Sequence, residues 1–591
     1  MAKYSYIELG IDKSYNLLGL DVLSNDQLKA LKLNNAIYIY KSTKTKQIYV
    51  GQTVHFIDRH KQHYNGTEQK FLDAKFDNVI VLFSQLFNGS SLDDVEAQLI
   101  TYYKADNPKA KKSNVSFDDD VINRTGGNSI TEYAGRESVS TDVILPFWEN
   151  VLYPNGWVLT PTLNELRTRA LVKYSPIKQL TPEQSDLIKE IIDNPSKNYV
   201  INGDAGTGKT VLLTHLVANI LKDRKGARVG VVVQPNWEKT GEEIFKIYGM
   251  NSTLLIVTTS SKLITSGETF DVIVVDESHK LSRRGSKQMA AFNVVYKDPR
   301  YANCQSHLEI LQKISKQVIL MYDVLQAIRP ANVSRAMFAS LTTSYEKKFL
   351  KTQFRIQAPK GKTYTSDDYV NGIKYLLFKD TGLLTSGFTQ FDPHFNRDVF
   401  NDKTVNAYFG YFTSQPLKNM IDWLDDDKNY NPEHVNRVLA GLVEPWMQDE
   451  GKDVTKKHFI EGSIQRRWNW TQENWVNSRD DSVDYRADAE EQIGSVFAVQ
   501  GIDLNKVGVL IGYDLELDAN GHLYANPDHF HNVNGKFNVD EMVDPNNKFE
   551  FTLFVLNIYY ILMTRGIDGI RVGFWKNSTF QKYMEDTLEI K

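Results

Sequence analysis

The chain has 591 residues, with 69 lysines and arginines against 73 aspartates and glutamates, 41% hydrophobic and 24% charged residues. That balance excludes wholesale disorder, and a net charge of −4 confines any nucleic-acid site to a local basic surface. A single cysteine, Cys304, excludes an internal disulfide and a thiolate zinc cluster, which suits a reducing cytoplasm.

Length alone predicts about four domains. The opening MAKYSYIELG lacks the basic and apolar regions of a signal peptide. The longest apolar run, residues 551–563, is too short to span a bilayer and reads as a buried strand or helix. A cytoplasmic protein with no membrane association is expected.

In chain order, the first zone covers residues 1–130. NNAIYIYKSTKTKQIYVGQTVHFIDRHKQHYNG predicts two strands joined by a polar turn, then a helix. Tyr38 and Tyr49 fall one on each strand, and Gly51 closes the second. Arg59 and His63 are four apart and share a helix face. Glu96 follows in the helix-like DDVEAQLITYY, and Asn123 in VINRTGGNS.

The ordered set resembles the GIY-YIG nuclease domain over about residues 34–128, written here Ala36-Ile37-Tyr38 and Tyr49-Val50-Gly51, with Ala36 where the motif begins with Gly. The resemblance implies phosphodiester hydrolysis, which asks for a metal on the phosphoryl oxygen, a base for water and a cation for developing charge, and it implies a role for each residue. Glu96 holds Mg²⁺ or Mn²⁺. Tyr38 binds or deprotonates the water, helped by His63 or Tyr49. Arg59 grips the scissile phosphate, and Asn123 is a structural or catalytic asparagine.

Residues 131–180 read as a connector. Beyond 180, short β-branched runs (VGVVV, DVIVVD, QVILMYD, VGVLIG) alternate with longer mixed segments, the pattern of parallel strands with crossover helices. Gly203-Asp-Ala-Gly206-Thr-Gly208-Lys209-Thr210 fits the phosphate-binding loop between a strand and a helix. The glycines let backbone N–H groups converge on phosphate oxygens at a helix N-terminus. Lys209 reaches the β and γ phosphates, and the Thr210 hydroxyl holds Mg²⁺. The strand DVIVV then ends in Asp276-Glu277, where Asp276 supports Mg²⁺ and Glu277 polarises the attacking water.

From about 178 to 575 the chain resembles superfamily-one helicases, and more closely a bacterial helicase-like family related to the Schlafen helicase domain. The resemblance runs through LTPEQ with Gln184 (adenine reading) and VVVQPN at 231–236 (strand contact). It continues in MYDVLQAIRP with Asp323, Gln326 and Arg329, and in LKTQFRI with Gln353 and Arg355. GSVFAVQGID carries Gln500, Gly501 and Asp503 without the usual Thr-Ser before the glutamine, and ILMTRGIDG carries Arg565. It implies ATP bound in a cleft between two RecA-like lobes, with Arg355 and Arg565 as arginine fingers. Cleft closure would then move two strand-binding surfaces.

Two other features read as structural. His529 and His531, near Asp528, lie in a polar loop without a completed ligand set. Trp468, Trp470 and Trp475 pack a core or subdomain, the alternative being base stacking.

The expected fold is α/β: a small α+β GIY-YIG domain (1–130), the connector (131–180), a first RecA-like lobe (181–345), and a second (346–591) with an inserted subdomain at about 415–490. The expected function is an ATP- and Mg²⁺-dependent DNA helicase or translocase fused to an endonuclease, in defence against foreign DNA or in repair. The rival readings are an ATPase switch that senses DNA or RNA without unwinding, an RNA-directed enzyme, and a binding module with an inactive nuclease. An oligomer or a partner protein stays open.

Overall fold

The computed structural model describes residues 3–65, 68–106, 135–167, 170–173, 175, 177, 180–204, 206–235, 237–248, 250, 253–285, 293–351, 355–432, 434–445, 455–469, 491–499 and 504–591. The chain packs as two compact units. The first is Met1–Ile192 with Val211–Val229 and Gln234–Val257, and the second is Asp193–Thr210, Gly230–Val233 and Thr258–Lys591.

The first unit opens with strands β1 (Tyr4–Ile11) and β2 (Leu17–Leu18) and helix α1 (Asn25–Leu33). Ser24 and Gln27 start α1 with a reciprocal capping box. Strands β3 (Ala36–Lys41) and β4 (Ile48–Thr53), helices α2 (Phe56–His63) and α3 (Gln69–Ala74), strand β5 (Asn78–Ser84) and helix α4 (Gly89–Asp106) follow. The sheet order is β2-β1-β5-β3-β4, with every pair antiparallel. β3 is buried on both faces from Ala36 to Tyr40, which explains its continuous apolar and aromatic run. The register sets Tyr38 opposite Gly51 and Tyr40 opposite Tyr49.

The expected connector is itself folded and packs on α4. Its helical stretch 136–152 contains two π-helical segments. Arg136 grips Asp94 of α4 through two bonds of 2.8 and 3.0 Å, both side chains buried. Trp148 packs against Tyr102 and Tyr103 of α4, and Asp106 accepts from the backbone N–H groups of Leu159 and Thr160. Helix α5 (Pro182–Asp193) lies in the same unit up to Ile192.

Strands and helices follow from there: β6 (Tyr199–Gly203), α6 (Lys209–Asp223), β7 (Val229–Val232), α7 (Glu238–Ile247), β8 (Leu255–Thr258), β9 (Phe270–Val275), β10 (Ser315–Tyr322) and β11 (Glu346–Leu350). The sheet order is β11-β6-β10-β9-β7-β8. Its strands β6, β9, β10 and β11 pair in parallel. This sheet runs on to Leu350, past the expected lobe boundary at 345, because the charged segment EKKFL still pairs along the β6 edge.

The rest of the second unit contains α8 (Ser366–Phe378), β12 (Phe409–Phe412), α9 (Pro416–Tyr430), β13 (Arg437–Ala440), β14 (Phe459–Glu461), β15 (Ile464–Trp468), β16 (Gln492–Ile493), β17 (Leu504–Ile511), α10 (Pro545–Met563), β20 (Gly566–Phe574) and α11 (Ser578–Leu588), with a small hairpin β18 (Leu515–Leu517) and β19 (Leu523–Ala525) before α10. Its main sheet is all parallel, in the order β12-β20-β17-β13. Part of the expected insertion at 415–490 is therefore the lobe itself: α9 leads into β13, an edge strand of this sheet. The acidic surface of α9 hides that apolar strand in the sequence. Trp468 lies in a core with Phe459 and Trp575, whereas Trp470 and Trp475 lie outside the described residues.

The run 551–563 is the buried body of α10. Among the described residues no helix is long and apolar enough to cross a membrane.

Candidate functional sites

The first cluster sits where β3, β4, α2 and α4 meet. Tyr38 and His63 are buried, and the Tyr38 hydroxyl lies 2.8 Å from His63 Nε2. Arg59 Nε, one turn earlier on α2, donates to the same hydroxyl at 3.4 Å. The Tyr38 and Tyr49 rings stack with centroids 6.2 Å apart, and Lys70 Nζ lies 4.7 Å from the Tyr49 ring centre. Gly51 is required by this packing: a Cβ there would overlap the Tyr38 ring and hydroxyl. On α4, Glu96 accepts from Gln52 Nε2 at 3.1 Å, and Gln52 also donates to Asp93.

The electrostatics follow burial. Desolvation pushes the Tyr38 phenol well above its ordinary value, opposed by Arg59. Tyr49 rises to about 12, again through burial first and Glu96 second. Burial raises Glu96 to about 7, with Gln52 opposing and Asp93 adding. His63 falls to about 3 through burial and the charges of Arg59 and Lys70. The pocket thus holds a protonated phenol beside a neutral imidazole.

The structure brings Tyr38, Tyr49, Arg59 and His63 together, with Glu96 electrostatically coupled to the two tyrosines. Asn123 lies outside the described residues. Sequence reasoning missed Gln52, Asp93 and Glu68. Glu68 stands 3.0 Å from His63 Nδ1, and no motif spacing announces a residue beyond the end of α2.

The second cluster occupies the carboxyl ends of three neighbouring strands, β6, β10 and β9, the usual ligand edge of a parallel sheet. β6 delivers the glycine-rich loop, in which Gly206 and Gly208 take φ values of 89° and 80° that side-chain-bearing residues rarely adopt. Lys209 Nζ donates to the carbonyls of Gly203 and Asp204 and lies 3.7 Å from Asp323 at the end of β10. Gln326 Nε2 donates to Asp323 at 2.7 Å. The Thr210 hydroxyl donates to Asp276, at the end of β9, at 3.3 Å.

Asp276 and Glu277 are pushed apart. Burial and its carboxylate neighbour raise Asp276. Glu277 is held well below the ordinary range, because Lys280 and His279 outweigh its burial. Glu277 has φ 48°, a strained backbone for a glutamate of the kind concentrated at working sites.

Three residues from later in the chain reach this cluster, and sequence reasoning named none of them. Lys374 of α8 binds Asp204 of the loop at 2.7 Å. Tyr560 of α10 is fully buried, and the charges of Asp204, Asp323 and Arg355 act on its phenol. Asn557 of α10 donates to the carbonyls of Val324 and Ala327 beside Gln326. Only folding announces such partners, because Lys374 follows Asp204 by 170 positions.

Arg565 is buried at the junction of α10 and β20. Arg329 lies 4.5 Å from the Phe497 ring centre. Gln184 of α5 is engaged in a capping box with Thr181. Gln353, Gln500, Gly501 and Asp503 lie outside the described residues. Among the described residues no group of three or more His, Cys, Asp or Glu could hold a metal.

Residues 196–576 match the family described as Schlafen group 3, DNA/RNA helicase domain. Residues 34–111 match the GIY-YIG catalytic domain. The chain is 26% identical over 448 residues to the uncharacterized protein YPL245W of Saccharomyces cerevisiae, covering 68% of this chain and 90% of that one. Among solved structures it is similar to a DEAD box protein from the hyperthermophile Methanococcus jannaschii, at 10% identity over 72% of this chain and 95% of that one, TM-score 0.26. It is also similar to the Pif1 helicase from Candida albicans, at 12% identity over 69% and 99%, TM-score 0.27.

Proposed function

The chain belongs to the Schlafen group 3 DNA/RNA helicase family and carries a GIY-YIG domain ahead of it, and from that premise we propose an ATP-driven nucleic-acid motor tethered to a metal-dependent endonuclease. One observation carries the reading. A single chain assembles a nucleotide loop with Lys209, Thr210 and Asp276 in register, and separately a Tyr38–His63–Arg59 cluster beside Glu96.

In the motor, ATP phosphates take the place of the Gly203 and Asp204 carbonyls as partners of Lys209. Thr210 and Asp276 would hold Mg²⁺, Glu277 would orient the attacking water, and Arg355 and Arg565 would neutralise charge on the transferred phosphoryl. Lys374 joins the loop to the second lobe, so nucleotide binding at Asp204 is felt there.

In the nuclease, the donors at Glu96 are hard carboxylate oxygens. Such a site suits Mg²⁺ or Mn²⁺, which take few protein ligands and complete their shell with water and phosphate. A bound ion supplies Lewis-acid polarisation of the phosphoryl oxygen. Arg59 binds the scissile phosphate and Tyr38 orients the water. DNA is the proposed substrate. Tethering a cutter to a motor raises its local concentration on the strand, which suits defence against foreign DNA or DNA repair.

The test is a plasmid-cleavage time course in Mg²⁺, with and without ATP, on wild type, Glu96→Ala and Lys209→Ala, beside ATPase assays with DNA or RNA added. Nicking by wild type and none by Glu96→Ala supports the nuclease. ATP hydrolysis without cutting in every lane defeats it. Stimulation of ATPase by RNA alone replaces DNA with RNA as the substrate.

A further inference from the structure

The first unit contains two tyrosine–histidine pairs built on the same strand and helix, and they end differently. The Tyr40 hydroxyl lies 2.7 Å from His60 Nδ1, and His60 Nε2 lies 2.9 Å from the Tyr15 carbonyl. A carbonyl only accepts, so His60 carries its proton on Nε2 and receives the Tyr40 hydroxyl on Nδ1. The Tyr38 hydroxyl lies 2.8 Å from His63 Nε2, and His63 Nδ1 lies 3.0 Å from Glu68 Oε1. An ionised carboxylate also only accepts, so His63 carries its proton on Nδ1 and presents Nε2 to the phenol.

Both ends fix a tautomer, but only the carboxylate can balance an imidazolium. The pair that ends on it is the one Arg59 touches. The His63 ring is also clamped: it stacks on Phe71 with centroids 3.9 Å apart and planes 12° apart. Glu68 stays partly exposed, with Lys70 Nζ 3.8 Å from its second oxygen.

We propose that Glu68 is a positioning residue of the nuclease site, holding His63 in the tautomer and orientation that let its Nε2 take the Tyr38 proton. The inference rests on the nuclease reading of this site. As the water oxygen bonds to phosphorus and the bond from phosphorus to the leaving sugar oxygen breaks, one water proton passes to the Tyr38 oxygen. The phenol's own proton passes to His63 Nε2, and solvent protonates the leaving oxygen. Glu68 then faces the imidazolium until it returns its proton to solvent. Burial keeps His63 neutral at rest and Tyr38 protonated, so the phenol needs this acceptor to serve as a base.

The experiment measures plasmid cleavage in Mg²⁺ by the full chain, for wild type, Glu68→Ala, Glu68→Gln, His63→Ala and the double variant Glu68→Ala/His63→Ala, with Glu96→Ala as control. Glu68→Ala is expected to lower kcat by about 10–100-fold, the range found when the hydrogen-bond partner behind a metal-ligating histidine is removed, with KM for plasmid and the ATPase rate unchanged. Glu68→Gln, which keeps an acceptor oxygen without the charge, is expected to fall between the two. In the His63→Ala background the same Glu68→Ala change should cost less than about 2-fold, because residues acting through one another are not additive. Full activity of Glu68→Ala, or equal losses with and without His63, overturns the proposal. Cutting by Glu96→Ala at the wild-type rate, or none by wild type, overturns instead the nuclease reading beneath it.

Discussion

The two clusters are built by opposite means. The proposed motor site is built chiefly from backbone: a glycine loop after β6, carbonyls that hold Lys209, and strand ends that deliver Asp276 and Asp323. The proposed nuclease site is built from side chains packed against one another, with Tyr38 and His63 buried and a glycine at 51 only because the Tyr38 ring fills its space. A backbone cradle tolerates changes in its surroundings and is read from eight consecutive residues. A side-chain cradle depends on packing spread from β3 to α4.

That contrast can be broken at its strongest point first. Tyr38→Phe removes the hydroxyl that His63 and Arg59 share. Cleavage should fall by about 10²–10⁴-fold, the range for losing a general acid or base, while DNA-stimulated ATPase is unchanged. Lys209→Ala should do the converse: ATP turnover falls about 10²–10³-fold, the scale of losing one preorganised charge donor, and cutting without ATP persists. If either variant disables both activities, the two sites are not separable and the comparison fails.

A smaller effect tests the packing half of the contrast. Gly51→Ala forces a methyl into Tyr38. The first unit should lose about 1–3 kcal/mol, as in overpacked cores, read by thermal unfolding, with cleavage lost in parallel and ATPase retained.

The smallest effect is one of pH and belongs to the second unit. Asp514 is fully buried against the Tyr559 hydroxyl, and burial raises it to about 7. The folded state therefore keeps a proton that the unfolded chain releases near pH 4, roughly the free aspartate value. Its stabilising contribution is full below that pH and is lost as pH rises through about 7. Asp514→Asn should flatten the fall, measured as the difference in melting temperature between about pH 5 and pH 8.

The two sites were also unequally legible. The phosphate loop and the acidic end of β9 are local patterns, because a strand–loop–helix geometry imposes its glycines and its Lys-Thr pair on contiguous residues. The paired tyrosines and the Arg59–His63 face were legible because a hairpin and one helix turn set their spacing. Glu68 was not, since it belongs to no repeat and meets His63 only through packing at the N-cap of α3. The acidic helix α9 concealed β13, because surface composition dominates that stretch while pairing with β17 decides its fold.

The sequence by itself determined the α/β class, the order of the elements and the residues that local backbone geometry demands, because period and turn chemistry act over a few neighbours. Tertiary structure decided which charges meet. Lys374 on Asp204, Asn557 on the loop after β10, and Glu68 behind His63 are contacts between residues that no local rule relates. They exist because burying the apolar faces of sheets and helices brings those polar groups to one place, where each must find a partner.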